Sequence, residues 1–273
     1  MNRHGHYVFQ HACEFAQFRK HRSATNLSTP AHVLKLVRKL LIEEDWSPQK
    51  ISGWLLENKQ IRISHERIYQ EIRADKSGML REHTRHKMKY HHHSFRRKPT
   101  KVRNIPNRIS IHDRPPEADG IRFGDWELDL IVGKGQRSAL VTVTERLTNY
   151  TLMEYIPNKR PQTEAETVWK MLGPFIGDSL KTITTDNGVE LMLHEQFARK
   201  LKTKVYFADS YCFWQKGVIE YANKLIRQYF PKGTDSNLIT KERIMEIQKK
   251  NQPATQKKLY FKSPTMFFYN LCH

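Results

Sequence analysis

Between Trp126 and Tyr229 the sequence changes periodicity in an order that few folds accommodate. Trp126–Val132, Ala139–Thr144 and Tyr150–Ile156 are short β-rich runs. Arg146-Leu147-Thr148-Asn149 parts the last two, so the three form a plausible antiparallel meander. A helical stretch around Glu164–Leu172 follows and ends at Gly173-Pro174. Then come a strand at Lys181–Thr185, a helix around Glu195–Leu201, a strand at Lys204–Phe207 and a long helix from Trp214 to Tyr229. Such a series builds one mixed sheet with helices packed on it.

Three strands, helix, strand, helix, strand, helix is the element order of an RNase-H-like α/β fold, and no internal repeat competes with it. Upstream the periodicity is helical. Thr29-Pro30 reads as a cap followed by proline at the first helical position, leading into Val33, Leu34, Val37, Leu40 and Leu41 on one face. Ser47-Pro48 repeats the signal before Ile51, Trp54 and Leu55. Ser64 opens a third helix carrying Ile68, Tyr69 and Ile72, with Arg67 and Arg73 among its polar positions. Three short helices with a basic third one fit a helix-turn-helix unit whose last helix enters the major groove. They also fit an ordinary three-helix bundle, and the link from Asn58 to Ile63 is longer than the tight turn of the motif.

Charge points to the partner. Lys and Arg outnumber Asp and Glu by 47 to 28, a formal charge of +19. Residues 1–116 hold 24 basic against 10 acidic residues, and residues 117–273 hold 23 against 18. A chain this basic usually meets a polyanion, with nucleic acid first, although a merely soluble basic protein has the same charge. From His83 to His112 there is no acidic residue, while Arg96, Arg97 and Lys98 stand among many cations. Such a block repels itself and reads as an extended linker that tracks phosphates. His91-His92-His93 is a weak metal signal, because three adjacent side chains do not point one way on a helix or strand. Cys13, Cys212 and Cys272 are too far apart for zinc spacing and suit a reducing, intracellular setting. No stretch is long and apolar enough to suggest a membrane span.

Three acids stand where metal-dependent phosphodiester chemistry could use them. That chemistry commonly employs two divalent ions bound by carboxylates on rigid elements. Asp129 lies mid-strand, on one face with Glu127 and Ile131, while Trp126, Leu128 and Leu130 take the other. A solvated edge-strand face explains it equally well. Asp186 ends a strand in Thr-Thr-Asp-Asn-Gly, where a plain turn competes with a site at the strand's carboxyl end. Glu220 sits on a helix whose apolar arc reads as Trp214, Val218, Leu225 and Tyr229, on the far side with Lys216, Asn223, Lys224 and Arg227. An exposed ion-pair ladder, Lys216–Glu220–Lys224, competes there.

Taken together these segments resemble the DDE transposases of insertion-sequence family thirty, which have an integrase-type catalytic core. Gly124-Asp-Trp-Glu-Leu-Asp-Leu-Ile-Val-Gly is similar to the family's first catalytic motif, and Thr184-Thr-Asp-Asn-Gly to its second. Trp214-Gln-Lys-Gly-Val-Ile-Glu and Leu225-Ile-Arg-Gln-Tyr-Phe-Pro-Lys-Gly-Thr resemble its third. Trp46-Ser-Pro-Gln-Lys-Ile and Ile63-Ser-His-Glu-Arg-Ile-Tyr look like its second helix-turn-helix region, and Asn107-Arg-Ile-Ser-Ile-His-Asp-Arg-Pro like its linker. Asp186 and Glu220 are separated by 33 residues, as in the family pattern. The chain departs from that pattern at Tyr221, Ser210 and Asn251-Gln-Pro-Ala.

The resemblance implies a retroviral-integrase-type, RNase-H-like α/β core preceded by an all-α helix-turn-helix DNA-binding region. Asp129, Asp186 and Glu220 would be both the catalytic residues and the ligands of two Mg²⁺ or Mn²⁺ ions. Arg67, Arg73, Arg96, Arg97, Lys98, Lys216, Lys224 and Arg227 are the expected DNA contacts. The expected divisions are a remnant of an N-terminal DNA-binding region over 1–28, a helix-turn-helix-like domain over 29–82, a basic linker over 83–116 and the core over 117–273. The implied function is cleavage and strand transfer at insertion-sequence ends, by a homo-oligomer on double-stranded DNA in the bacterial cytoplasm, at the nucleoid. The alternative is an N-terminally truncated, inactive DNA-binding remnant.

Overall fold

The computed structural model describes residues 9–25, 29–88, 105–136, 138–210, 212–234, 239–251 and 263–272. The first helix, α1 (Phe9–Thr25), leaves Phe9, Phe15 and Phe18 exposed. A helical unit follows, formed by α2 (Ala31–Glu44), α3 (Pro48–Lys59), α4 (His65–Ala74) and α5 (Met79–Glu82). Ser47 and Ser64 cap α3 and α4 as expected, accepting from the backbone N–H of Lys50 and Arg67. Thr29 does not act as a cap, because α2 begins at Ala31 and Pro30 takes the cap position without a side-chain bond. Val37, Leu41, Ile51, Leu55, Ile68 and Ile72 form the unit's own core. Asp75 then orders the short α5 by accepting from Ser77 and from the N–H of Leu80.

The second part is built on one six-stranded sheet. Its strands are β1 (Ile109–Ser110), β2 (Asp125–Val132), β3 (Ala139–Glu145), β4 (Thr151–Ile156), β5 (Thr182–Thr185) and β6 (Lys204–Phe207). They lie in the order β1-β6-β5-β2-β3-β4. The meander β2–β3–β4 is antiparallel, while β5 runs parallel to β2, and β6 and β1 continue in parallel. The helices are α6 (Pro161–Leu172), α7 (His194–Leu201), α8 (Gly217–Tyr229), α9 (Lys241–Asn251) and α10 (Pro264–Cys272). One face of the sheet packs Trp126, Leu128, Val141 and Val143 against α6, α7 and α10. The other packs Ile131, Leu140 and Met153 against α8 and α9 through Ile226, Ile244 and Ile247.

Three features differ from the sequence expectation. Strand β1 lies in the stretch expected as a free linker, and Ile105 and Ile111 are buried beside it. The sheet therefore begins before residue 117, because a two-residue edge strand carries too little pattern to be read. Helices α9 and α10 were not expected at all. Helix α10 nonetheless drives Phe268 fully into the core, stacked on Tyr150 at 4.1 Å between ring centres and edge-on to Trp126 at 5.6 Å. Finally, Phe213–Lys216 is a separate tight 3₁₀ turn, so α8 starts at Gly217. The basic run with Arg96, Arg97 and Lys98, and the three adjacent histidines, fall outside the described residues.

Candidate active site

Strand β2 carries three acids on alternate positions of one face, and its surroundings give each a different task. Asp125 is fully buried, bound by the Arg122 guanidinium at 2.8 and 3.1 Å and by the Thr182 hydroxyl at 2.6 Å. Glu127 is fully buried as well. One of its oxygens pairs with Arg146 at 3.0 Å, and the other accepts from the N–H of Ile219 in the first turn of α8 at 2.7 Å. Burial pushes the Glu127 carboxyl above its ordinary value, and the Arg146 cation opposes that shift. Asp129 alone keeps partial contact with solvent. The alternation expected for the strand holds, since Trp126 and Leu128 point into the opposite core.

Asp129 is met from α8. Asn223 donates to its Oδ2 at 2.6 Å, and the Lys216 ammonium lies 3.2 Å from its Oδ1. Asn223 is itself fixed, because its Oδ1 accepts from the Thr142 hydroxyl of β3 at 3.1 Å. Lys216 also reaches Asp186 at 3.8 Å. Asp186 stands just past β5, exposed, with one oxygen accepting from the N–H of Gly188. The chain then enters a 3₁₀ turn and α7, so Asp-Asn-Gly is not a hairpin turn here. Burial raises the Asp129 carboxyl, with the Asp186 charge adding to the rise and Lys216 opposing it. Burial alone pulls the ammonium of Lys216 down, but the two carboxylates outweigh it and hold the group above its ordinary value. An acid of β2 and one just past β5 thus share one cation.

The structure places the expected site residues unequally. Asp129 and Asp186 come together. Glu220 is half-buried in the first turn of α8, on the flank that carries Lys216 and Asn223. Among the described residues no three acids, histidines or cysteines stand close enough to hold a metal ion as one group. The expected apolar arc of α8 is corrected too. Its buried face is Ile219, Ala222 and Ile226, and Trp214 is exposed. Asn223, at the edge of that buried face, reaches β2, where Asp129 needs a partner.

Two of the expected DNA contacts, Lys216 and Arg227, have partners within the protein. Lys216 is buried and paired with the two aspartates, so its charge is turned inward. Arg227 spends its guanidinium on the carbonyls of Val132, Phe230 and Pro231 at 3.2 to 3.4 Å. Lys224 is exposed on α8. On α4, Arg73 is exposed and pairs with Glu66, while Arg67 lies 3.7 Å from Glu71, which also binds Arg38. Sequence reasoning missed Asn223 and Glu127 as partners. The available signal was spacing, since Lys216, Glu220, Asn223 and Arg227 recur at helical intervals on one stripe.

The donor set around Lys216 suits a hard cation. Asp129 and Asp186 offer oxygen only, their like charges demand a cation between them, and the ammonium of Lys216 now meets that demand. The chemistry of the pair fits divalent ions of the Mg²⁺ type.

Comparison with known proteins gives concordant relatives, although no family model matches the chain. The chain is 33% identical over 254 residues to the transposase for insertion sequence element IS4351 of Bacteroides fragilis, covering 91% of this chain and 76% of that protein. It is 32% identical over 261 residues to the transposase for insertion sequence element IS1086 of Cupriavidus metallidurans, covering 93% and 77%. It is 33% identical over 244 residues to the transposase InsI for insertion sequence element IS30A of Escherichia coli K12, covering 84% and 63%.

Proposed function

The chain belongs to the family of IS30-type insertion-sequence transposases, and on that premise we propose that it cleaves element-end DNA and transfers the strand using Asp129, Asp186 and Glu220. The observation that carries this reading is the convergence of Asp129 and Asp186 on one cation, at the helix that bears Glu220. Strand order adds support. Read from the meander outward, β4-β3-β2-β5-β6 is the order of an RNase-H-like core, with β1 added at the edge.

The reaction class is in-line phosphodiester transfer. Water attacks the phosphorus at the element end and frees a 3′-OH, which then attacks a phosphorus of the target, breaks the bond to the target's own 3′-oxygen and releases it as a hydroxyl. Divalent ions, Mg²⁺ or Mn²⁺, supply Lewis-acid stabilisation of the attacking and leaving oxygens when bound. Asp129, Asp186 and Glu220 would hold them. Asn223 fixes the orientation of Asp129, and Glu127 ties the first turn of α8 to β2, so the helix cannot slide against the strand. The Lys216 ammonium balances the two aspartates.

DNA is gripped elsewhere. We assign a helix-turn-helix-like role to residues 29–82, with Arg67 and Arg73 on α4 facing DNA. A surface pair such as Arg73–Glu66 is weak enough to yield to phosphate. Lys224 extends the contact beside the site, and Arg96, Arg97 and Lys98 extend it along the chain between the two parts. The core is proposed to start near Ile105. Two ends must be handled together, which calls for a homo-oligomer on DNA. Among the described residues no helix is long and apolar enough to cross a membrane.

The test incubates the protein with element-end DNA and Mg²⁺, beside an Asp186→Asn variant. Wild type nicks and joins the DNA, whereas the variant binds equally and does not cut. If both bind and neither cuts, the enzymatic reading fails and a DNA-binding remnant is left.

A further inference from the structure

Trp214 is 75% exposed, although it lies in the turn that leads directly into the site. Both residues that follow it are pinned inward. Gln215 accepts from the N–H of Asp209 at 2.7 Å and donates to the Asp209 carboxylate at 2.9 Å. Lys216 is buried against Asp129 and Asp186. The turn is closed by backbone bonds from Cys212 to Asp209 and from Gln215 to Cys212. An indole held in water by a turn so firmly anchored is not simply loose. It presents a flat, rigid aromatic surface, and the buried face of α8 never needed it.

The surroundings define what such a surface would take. Asp209 also binds the imidazole of His112 at 2.8 Å and lies 3.9 Å from the Arg108 guanidinium. These two side chains are 72% and 30% exposed, so hydrogen-bond donors stand one residue away from the Trp214 turn. An aromatic plane, a cation and an imidazole beside a phosphodiester site match the parts of a nucleotide: a base to stack and a phosphate to hold. A fully paired duplex offers Trp214 only the outer face of its terminal pair, whereas an unpaired base can turn its whole face onto the indole.

We propose that Trp214 is a stacking platform for an unpaired base at the reacting DNA end, with Arg108 and His112 holding its flanking phosphate. The proposal rests on the reading of Asp129 and Asp186 as the place where DNA reacts. It assigns the site a preference for frayed over fully paired ends.

The experiment compares two short duplexes of the same sequence, one fully paired and one with an unpaired tail carrying a fluorescent adenine analogue. Full-length wild type quenches the analogue and binds the tailed duplex more tightly. Trp214→Ala loses that preference by roughly tenfold, the size of one base–aromatic stack, and Trp214→Phe keeps most of it. Equal preference and quenching in Trp214→Ala overturn the proposal. So does loss of self-association in that variant with its DNA preference intact, which would assign Trp214 to a second copy of the chain. Cleavage of element-end DNA is read in parallel. If wild type does not cut, the reaction assigned to the site fails, while the tail preference still decides the role of Trp214.

Discussion

Asn223 holds one oxygen of Asp129 while Lys216 takes the other, so the carboxylate cannot rotate without breaking a bond. A second partner, Thr142, fixes Asn223 in turn. On the proposed role of Asp129 as a metal ligand, a residue that orients it in this way is typically worth about 10–100-fold in metal affinity or activity. Asn223→Ala is therefore expected to lower cleavage by that factor and raise the Mn²⁺ concentration needed for half-maximal rate, with DNA binding unchanged in a gel-shift assay. A second prediction at this scale concerns Asp75. Hydrogen bonds from Ser77 and the N–H of Leu80 hold its carboxyl below the ordinary 3.8. A depressed folded value gives stability that is present above pH 3.8 and lost as pH falls through the lower folded value. The gap in Tm between wild type and Asp75→Asn should accordingly shrink as the pH drops below 3.8. A gap that stays constant contradicts the bonding.

At the scale of elements, strands and helices with strong periodicity were legible in the sequence. The β2–β3–β4 meander, β5, β6, α3 and α4 follow from alternation, turn residues and serine caps. The short or irregular elements were not. A two-residue edge strand has no period, and α10 is so rich in apolar and aromatic residues that no single stripe marks its buried side. Its anchor emerges only in three dimensions, where Phe268 lies among Phe123, Trp126, Tyr150 and Phe175. Phe268→Ala should destabilise the core by about 3–5 kcal/mol, measured by urea unfolding. A loss below about 1 kcal/mol, the scale of an ordinary mutation, would mean α10 does not hold the sheet. The entry to β2 is constrained as well. Gly124 has φ +97° and stands so close to the Asp178 carbonyl that a Cβ would come within 2.8 Å. Only glycine suits that corner, and it leads into the strand bearing Asp125, Glu127 and Asp129.

For the molecule as a whole, one carboxylate fastens the helical unit to the part built on the sheet. Asp45, in left-handed conformation at the end of α2, binds His83 at 2.8 Å within its own unit. Its other oxygen accepts from Tyr229 of α8 at 3.3 Å and from Lys250 of α9 at 3.4 Å. Both donors are partly open to water, so losing their acceptor costs about 0.5–1.5 kcal/mol. Asp45→Ala is thus expected to speed hydrogen exchange in the last turn of α8 and in α9, while exchange in β2 and β3 stays as slow as in wild type. If α8 and α9 exchange at the wild-type rate, the two units are not coupled through this residue.

By itself the sequence determined the class of the chain and pointed to the acids proposed as its site. Asp129, Asp186 and Glu220 are singled out in one dimension by motif resemblance, by their order and by the 33 residues between Asp186 and Glu220, and their role is the one proposed above. Tertiary structure decided how those acids differ from their neighbours and what stands around them. Asp125 and Glu127 look equally eligible on β2, and only packing against Arg122, Thr182, Arg146 and α8 turns them into buried anchors. Only folding turned Lys216 inward and Trp214 outward. The physical reason is that burial and charge pairing act between residues far apart in the chain, and no local period records them.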